Sequence, residues 1–167
     1  MLNINERRIW LISNLGGIMI HILCHIILNS IKINKEISVY INSIGGDLFE
    51  GLIVYNIVQL SKFDIKTICL KHASSISSLL LISGTIGKRL CLRQASLYMH
   101  QPNVAIVGNL TVLTEGLLNT NWISEDIIKI YMKHCCNDYF NVVKALIESI
   151  WISSDFAIKW TAIDHVV

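Results

Sequence analysis

The chain has 167 residues, 14 basic and 12 acidic side chains for a net charge of +2, a hydrophobic content of 53% and a mean hydropathy of +0.54. That length is one domain with room for a full core, and scattered lysines make no basic stripe, which argues against nucleic acid as a partner. The apolar content exceeds what one small domain hides and predicts burial between subunits, while the longest apolar stretches, 15–28 and 79–86, fall short of the roughly 20 residues that span a bilayer.

The N-terminus, Met1-Leu2-Asn3-Ile4-Asn5-Glu6-Arg7-Arg8, precedes no hydrophobic core with a small-residue cleavage site, so a soluble chain without a cleavable targeting peptide is expected. Runs rich in β-branched and aromatic residues predict strands at 8–12, 36–41, 65–70, 89–92 and 97–100. Helical patterns lie between them at 18–29, 48–60 and 75–82, with Asp47 an N-cap for the second. Within the first, His21, Cys24 and His25 have helical ligand spacing, but no carboxylate stands near them and no metal site is expected. A long amphipathic helix follows at 109–134, carrying Leu110, Leu113, Leu117, Leu118, Trp122, Ile127, Ile128 and Tyr131 mostly at helical intervals, and a short helix is expected at 153–161. Alternation of this kind predicts a mainly parallel sheet flanked by helices. Five cysteines (Cys24, Cys69, Cys91, Cys135, Cys136) without C-x-x-C spacing fit a reducing compartment. Abundant Ile, Asn and Lys beside a single proline suggest an AT-rich gene of a reduced organelle or symbiont genome.

Chemistry concentrates at three places. Ser75 lies in Lys71-His72-Ala73-Ser74-Ser75-Ile76-Ser77-Ser78, where a strand gives way to an apolar helix. His100 closes Leu97-Tyr98-Met99-His100, before Gln101 and Pro102. A hydroxyl on a strand-to-helix turn and an imidazole at a strand end are the parts of a nucleophile and its base. Ordinary readings compete: Ser74 or Ser75 as a helix N-cap, His100 as a strand-end histidine bonded to a nearby carbonyl. The third place is Tyr40-Ile41-Asn42-Ser43-Ile44-Gly45-Gly46-Asp47, whose two glycines free backbone N–H groups to face a developing oxyanion.

In this order and spacing, these elements resemble the proteolytic subunit of the Clp ATP-dependent protease, a serine peptidase family. The resemblance runs from about Arg7 to Val167 through Arg7-Arg8-Ile9-Trp10-Leu11, Tyr40-Ile41-Asn42-Ser43 with Gly45-Gly46, Thr67-Ile68-Cys69, Ala73 with Ser75, Gly84 with Gly87-Lys88-Arg89, Met99-His100-Gln101-Pro102 and Ile163-Asp164. It implies a crotonase-like ClpP fold of repeated ββα units with a protruding handle helix, as one domain over 1–167 that largely lacks the N-terminal axial segment. It further implies Ser75 as nucleophile, His100 as general base, and the N–H groups of Gly46 and Ile76 as oxyanion hole.

The family's third catalytic residue, an aspartate, is Ser149 here; Glu148 and Asp155 are the nearby acids. Other departures are Ile44 for a proline, Ser77 for a glycine, and Glu148 where an arginine usually bridges stacked rings. The resemblance also implies heptameric rings stacked as a tetradecamer, unfolded polypeptide substrates, and an AAA+ Clp ATPase partner. That partner would use the ATP, because no G-x-x-x-x-G-K-[ST] loop occurs here, and no cofactor is expected. In the family the corresponding long helix interdigitates with the opposite ring and the segment before it, 104–108 here, pairs as a strand, which implies Trp122, Ile128 and Met132 as interface candidates. A plastid stroma is the expected compartment, with a bacterial cytoplasm as the alternative. Three functions stay open: a working Clp peptidase, a catalytically impaired ClpR-like subunit of a mixed ring, and an acyl-CoA enzyme on the same fold, for which Glu50 is the nearest glutamate to Gly45-Gly46.

Overall fold

Alternation of buried Ile37, Val39, Ile41 and Ser43 with half-exposed Ser38, Tyr40 and Asn42 makes the second strand of the computed structural model, which describes residues 7–17, 21, 23–25, 27 and 36–167. Among the described residues seven strands form one mixed sheet: β1 (Arg8–Leu15), β2 (Ile37–Gly46), β3 (Ile65–Ser74), β4 (Arg89–Cys91), β5 (Ser96–Tyr98), β6 (Trp151–Ser153) and β7 (His165–Val166). The order β1-β2-β3-β4-β7 is parallel throughout. Past its middle, β3 changes neighbour: Thr67–Cys69 pair with β4, and His72–Ser74 pair with β5. Antiparallel β6 then covers β5, setting Tyr98 opposite Trp151.

Five helices have full bounds. Helix α1 (Leu48–Leu60) starts at Asp47, whose carboxylate accepts from the Glu50 N–H at 3.0 Å. Helix α2 (Ile76–Ile82) is buried at every position, so an apolar stretch with no polar face can be helical there. Helix α3 (Leu110–His134) is capped by Asn109 and buries only Ile127, Ile128 and Tyr131; Trp122 is 79% exposed. Helix α4 (Tyr139–Glu148) starts at Asp138 and ends at Ser149, which is left-handed at φ 55°, ψ 63°. Helix α5 (Ser154–Lys159) is capped by Ser153. Among the described residues no helix is long and apolar enough to cross a membrane.

Mixed α/β class and a mostly parallel sheet agree with the sequence reading, and α1 has the expected bounds. Most of the expected 18–29 helix lies outside the described residues; positions 21, 23–25 and 27 are helical, and Leu23 and Ile27 are buried. Strands β2 and β3 run further than their β-branched cores predict, to Gly46 and Ser74. By contrast β5 stops two residues before His100, because the N–H groups of Met99 and Gln101 turn to the carbonyls of Ile150 and Leu146, at 3.0 and 3.1 Å. Residues 104–108 pair with no strand among the described residues, and Val107 is 92% exposed. Of the three interface candidates, Trp122 and Met132 are exposed, but Ile128 is only 7% exposed and belongs to the chain's own core.

One buried ion pair ties the far edge of the sheet to the end of α3. Arg89 donates from Nε and Nη2 to the two Asp164 oxygens at 3.0 and 2.7 Å, and from Nη1 to the His134 carbonyl at 2.8 Å. Asp164 Oδ2 also accepts from the N–H groups of Gly87 and Arg89. Burial works against the ionised carboxyl, but the Arg89 side chain and these backbone donors together hold it below its usual range. A depressed carboxylate pKa means the stabilisation is complete above the unfolded-state value of about 3.9 and is lost as pH falls through the folded value. Asp164→Asn leaves Arg89 buried without a counter-charge, and it is expected to lower unfolding free energy by about 3–5 kcal/mol in denaturant titrations at fixed protein concentration.

Candidate active site

Ser75 occupies the N-cap position of α2, yet its side chain caps nothing. Its backbone stands at φ 55°, ψ −129°, a conformation that L-residues rarely adopt. Three hydrogen bonds hold it there. The Ser75 N–H donates to the Tyr98 carbonyl at 2.9 Å, and the Ser75 carbonyl accepts from the Ser78 N–H at 2.9 Å and from Ser78 Oγ at 2.6 Å. Ser78 Oγ also lies 2.6 Å from the hydroxyl of buried Tyr131, so α3 is bonded to the turn. The N-cap alternative for Ser75 is therefore corrected: in this strained turn its Oγ makes no capping bond to the helix.

The Gly45-Gly46 segment approaches that turn more closely than other residues could. Gly45 has φ 103°, and a Cβ on it would stand 2.8 Å from Ser75 Cβ and 2.9 Å from the Ser74 carbonyl oxygen. On Gly46 a Cβ would overlap the Leu15 carbonyl oxygen at 1.9 Å. The N–H of Gly45 is bonded to Ser43 Oγ and that of Asp47 to Leu15. Gly46 stands between these two bonded N–H groups. Ile76 is the first residue of α2, where an N–H has no acceptor within the helix.

His100 follows β5 and is held by the Met99 and Gln101 backbone bonds to α4 and its C-terminal turn. Its imidazole stacks on Tyr98, with ring centroids 5.2 Å apart and planes 18° from parallel. Burial lowers its pKa from the ordinary histidine value, opposed in part by a hydrogen bond with the Gln101 backbone, so the neutral ring is favoured. The strand-end alternative, a histidine near a carbonyl, thus describes part of what the ring does. Ser75, His100, Gly46 and Ile76 line one cavity of about 580 Å³, whose further wall includes Ile44, Phe49, Leu79, Pro102, Ile106 and Ile123.

The third expected position makes no hydrogen bond within this group. Ser149 ends α4 in the left-handed conformation, exposed and without a hydrogen bond to His100, although the carbonyls of Leu146 and Ile150 on either side accept from the N–H groups of Gln101 and Met99, the neighbours of His100. Glu148 Oε1 faces Lys144 Nζ at 3.9 Å on the surface, and Asp155 lies in the first turn of α5. Among the described residues no carboxylate bonds His100. Glu50 is not among the residues lining the cavity; its Oε1 would stand 2.8 Å from a Cβ on Gly17. Among the described residues no three His, Cys, Asp or Glu side chains group as a metal site.

A family model described as Clp protease matches residues 3–167. The chain belongs to the Clp protease family. Its class is therefore that of ClpP-type serine peptidases, which implies a ring oligomer working with Clp ATPases. Within this Clp protease chain, sequence reasoning missed two supports of the site. One is the Ser78–Tyr131 hydrogen bond, which joins residues 53 apart in sequence and left no local signal. The other is the Tyr98 ring under His100; their spacing of two residues, which places side chains on one face of an extended chain, could have revealed it. Removing the Ser78 hydroxyl alone strands a buried phenol. Ser78→Ala is expected to cost about 1–3 kcal/mol in denaturant titrations, whereas Ser78→Ala combined with Tyr131→Phe, which removes both partners, costs less than Ser78→Ala alone.

Proposed function

We propose that this chain is a serine endopeptidase subunit of a Clp ATP-dependent protease, cutting unfolded polypeptides into short peptides inside a double-ring chamber. The observation that carries this reading is the Ser75 turn: a non-glycine residue at φ 55° with an uncapped hydroxyl, opening into the cavity that His100 also lines. Backbone strain of this kind costs on the order of 1–3 kcal/mol and persists where surrounding structure enforces it. A helix cap would not require it.

His100 takes the Ser75 proton as Oγ attacks the peptide carbonyl. The tetrahedral oxygen is received by the N–H groups of Gly46 and Ile76. His100 then protonates the leaving amine, and water repeats the cycle on the acyl-enzyme. No cofactor takes part, and ATP is consumed by an AAA+ partner. The exposed apolar residues of α3 support its role as a handle between rings, in heptamers stacked as a tetradecamer. The fold is read as one domain with the crotonase-like ββα repeat, and the compartment as a plastid stroma, with a bacterial cytoplasm as the alternative.

A second reading, a catalytically impaired subunit of a mixed ring, is favoured by exposed Ser149, which supplies no charge to His100. Loss of the corresponding aspartate in a serine protease of another fold costs roughly 10⁴ in turnover. The acyl-CoA reading lacks a glutamate on the cavity wall. A fluorophosphonate probe on the native assembly decides between the first two: an adduct on Ser75, absent in Ser75→Ala, is expected, and no adduct in a ring whose other subunits react would make this a structural subunit. Ser149→Asp, an acid at a left-handed position that Asp tolerates, is expected to speed labelling of Ser75 at least ~10-fold by restoring part of the lost orientation and charge.

A further inference from the structure

The carboxylate missing beside His100 would have had two tasks, fixing the plane of the imidazole and stabilising the imidazolium. Both tasks have another candidate in this chain. Tyr98 stacks on His100, Trp151 stacks on Tyr98 at 4.7 Å and 30°, and His72 meets Trp151 edge to face at 5.6 Å and 72°. His72 is itself tied by Nδ1 to Ser96 Oγ at 3.2 Å. The sheet sets these rings in place, since His72 pairs with Ser96 across β3 and β5, and Tyr98 with Trp151 across β5 and β6.

We propose that Tyr98, backed by Trp151, is the positioning residue for His100 in this chain, a π-face that holds the imidazole plane and stabilises its protonated form where the family uses a carboxylate. The assignment rests on the reading of Ser75 and His100 as a working pair. A stacked ring resists rotation of the imidazole out of its plane, adding to the hydrogen bond between the ring and the Gln101 backbone. It also favours the cation that forms during attack, because the electron-rich face of an aromatic ring attracts positive charge, most strongly where water is excluded. His100 is half-buried on a cavity wall whose other ionisable side chains are Asp47 and Tyr131; on the α4 side, Glu148 faces Lys144. No carboxylate hydrogen-bonded to the ring competes with the stack for these tasks among the described residues.

Tyr98→Leu keeps apolar bulk beside His100 and removes the π-face. In the assembled ring it is expected to slow fluorophosphonate labelling and to lower kcat roughly 10-fold with KM little changed, the size of effect a lost aromatic contact allows. Loss of the π-face also disfavours the imidazolium, so the acid limb of the kcat/KM profile moves to lower pH. Tyr98→Phe retains the face and is expected to restore both rate and limb. A packing role would lower stability without moving the limb. In the wild-type ring, the His100 ring protons should resonate upfield of exposed histidines through the Tyr98 ring current, a signature that needs no variant. Wild-type labelling with Tyr98→Leu equally fast and its limb unmoved would overturn the role of Tyr98 alone, as would an unshifted His100 resonance. Failure of Ser75 to label in the wild type would overturn the catalytic pair, and Tyr98 as its support with it.

Discussion

The turn at Ser75 can exist only because the end of β2 carries no side chain where the two backbones meet. A methyl group on Gly45 would collide with Ser75, and one on Gly46 would occupy the carbonyl oxygen of Leu15. With those atoms absent, β1, β2 and the β3–α2 junction close on one another, and Ser75 is held from the opposite side by its bond to Tyr98. The same strand, β5, leads to His100. Position of the hydroxyl and position of the imidazole are thus consequences of one piece of sheet geometry, in which β3 changes partner from β4 to β5.

Electrostatics in the site run opposite to those at the sheet edge. At Arg89 and Asp164 a full ion pair is largely buried with its hydrogen bonds satisfied, and the ionised carboxyl of Asp164 is favoured. At His100 there is burial without a bonded counter-charge, and the neutral form is favoured. A neutral imidazole is ready to accept a proton. Holding that proton afterwards is the harder task, and it falls to groups without formal charge. For the general-base step proposed above, the first half is therefore better provided for than the second.

Much of the fold was legible because its signals are local: β-branched alternation in β2 and β3, Asp47 at the start of α1, and helical spacing through α3. That Ser75, His100 and Gly46 come to one cavity was also legible, since they sit at strand ends and a glycine pair, and the family pattern groups them. What escaped depends on contacts between distant segments. The end of β5 is set by carbonyls of Ile150 and Leu146, about fifty residues later in the chain, and propensity carries no record of them. Burial of Ile128 on the chain's own core could not be separated from burial against another subunit, because both demand the same apolar spacing. Ser149 looked like a hydroxyl in place of an acid; its left-handed backbone also makes it the end of a helix, a position with a structural purpose of its own.

The conformation at residue 75 bears on how this chain can change over time. Glycine is the residue most at ease at φ 55°, ψ −129°, and it would fill the turn without strain while removing the hydroxyl. Folding alone therefore gives no advantage to serine at this place, and a lineage free of any demand on the hydroxyl would drift toward the more stable sequence. Relaxed selection has a visible destination here, one codon step from serine for some codons, and the chain stands short of it.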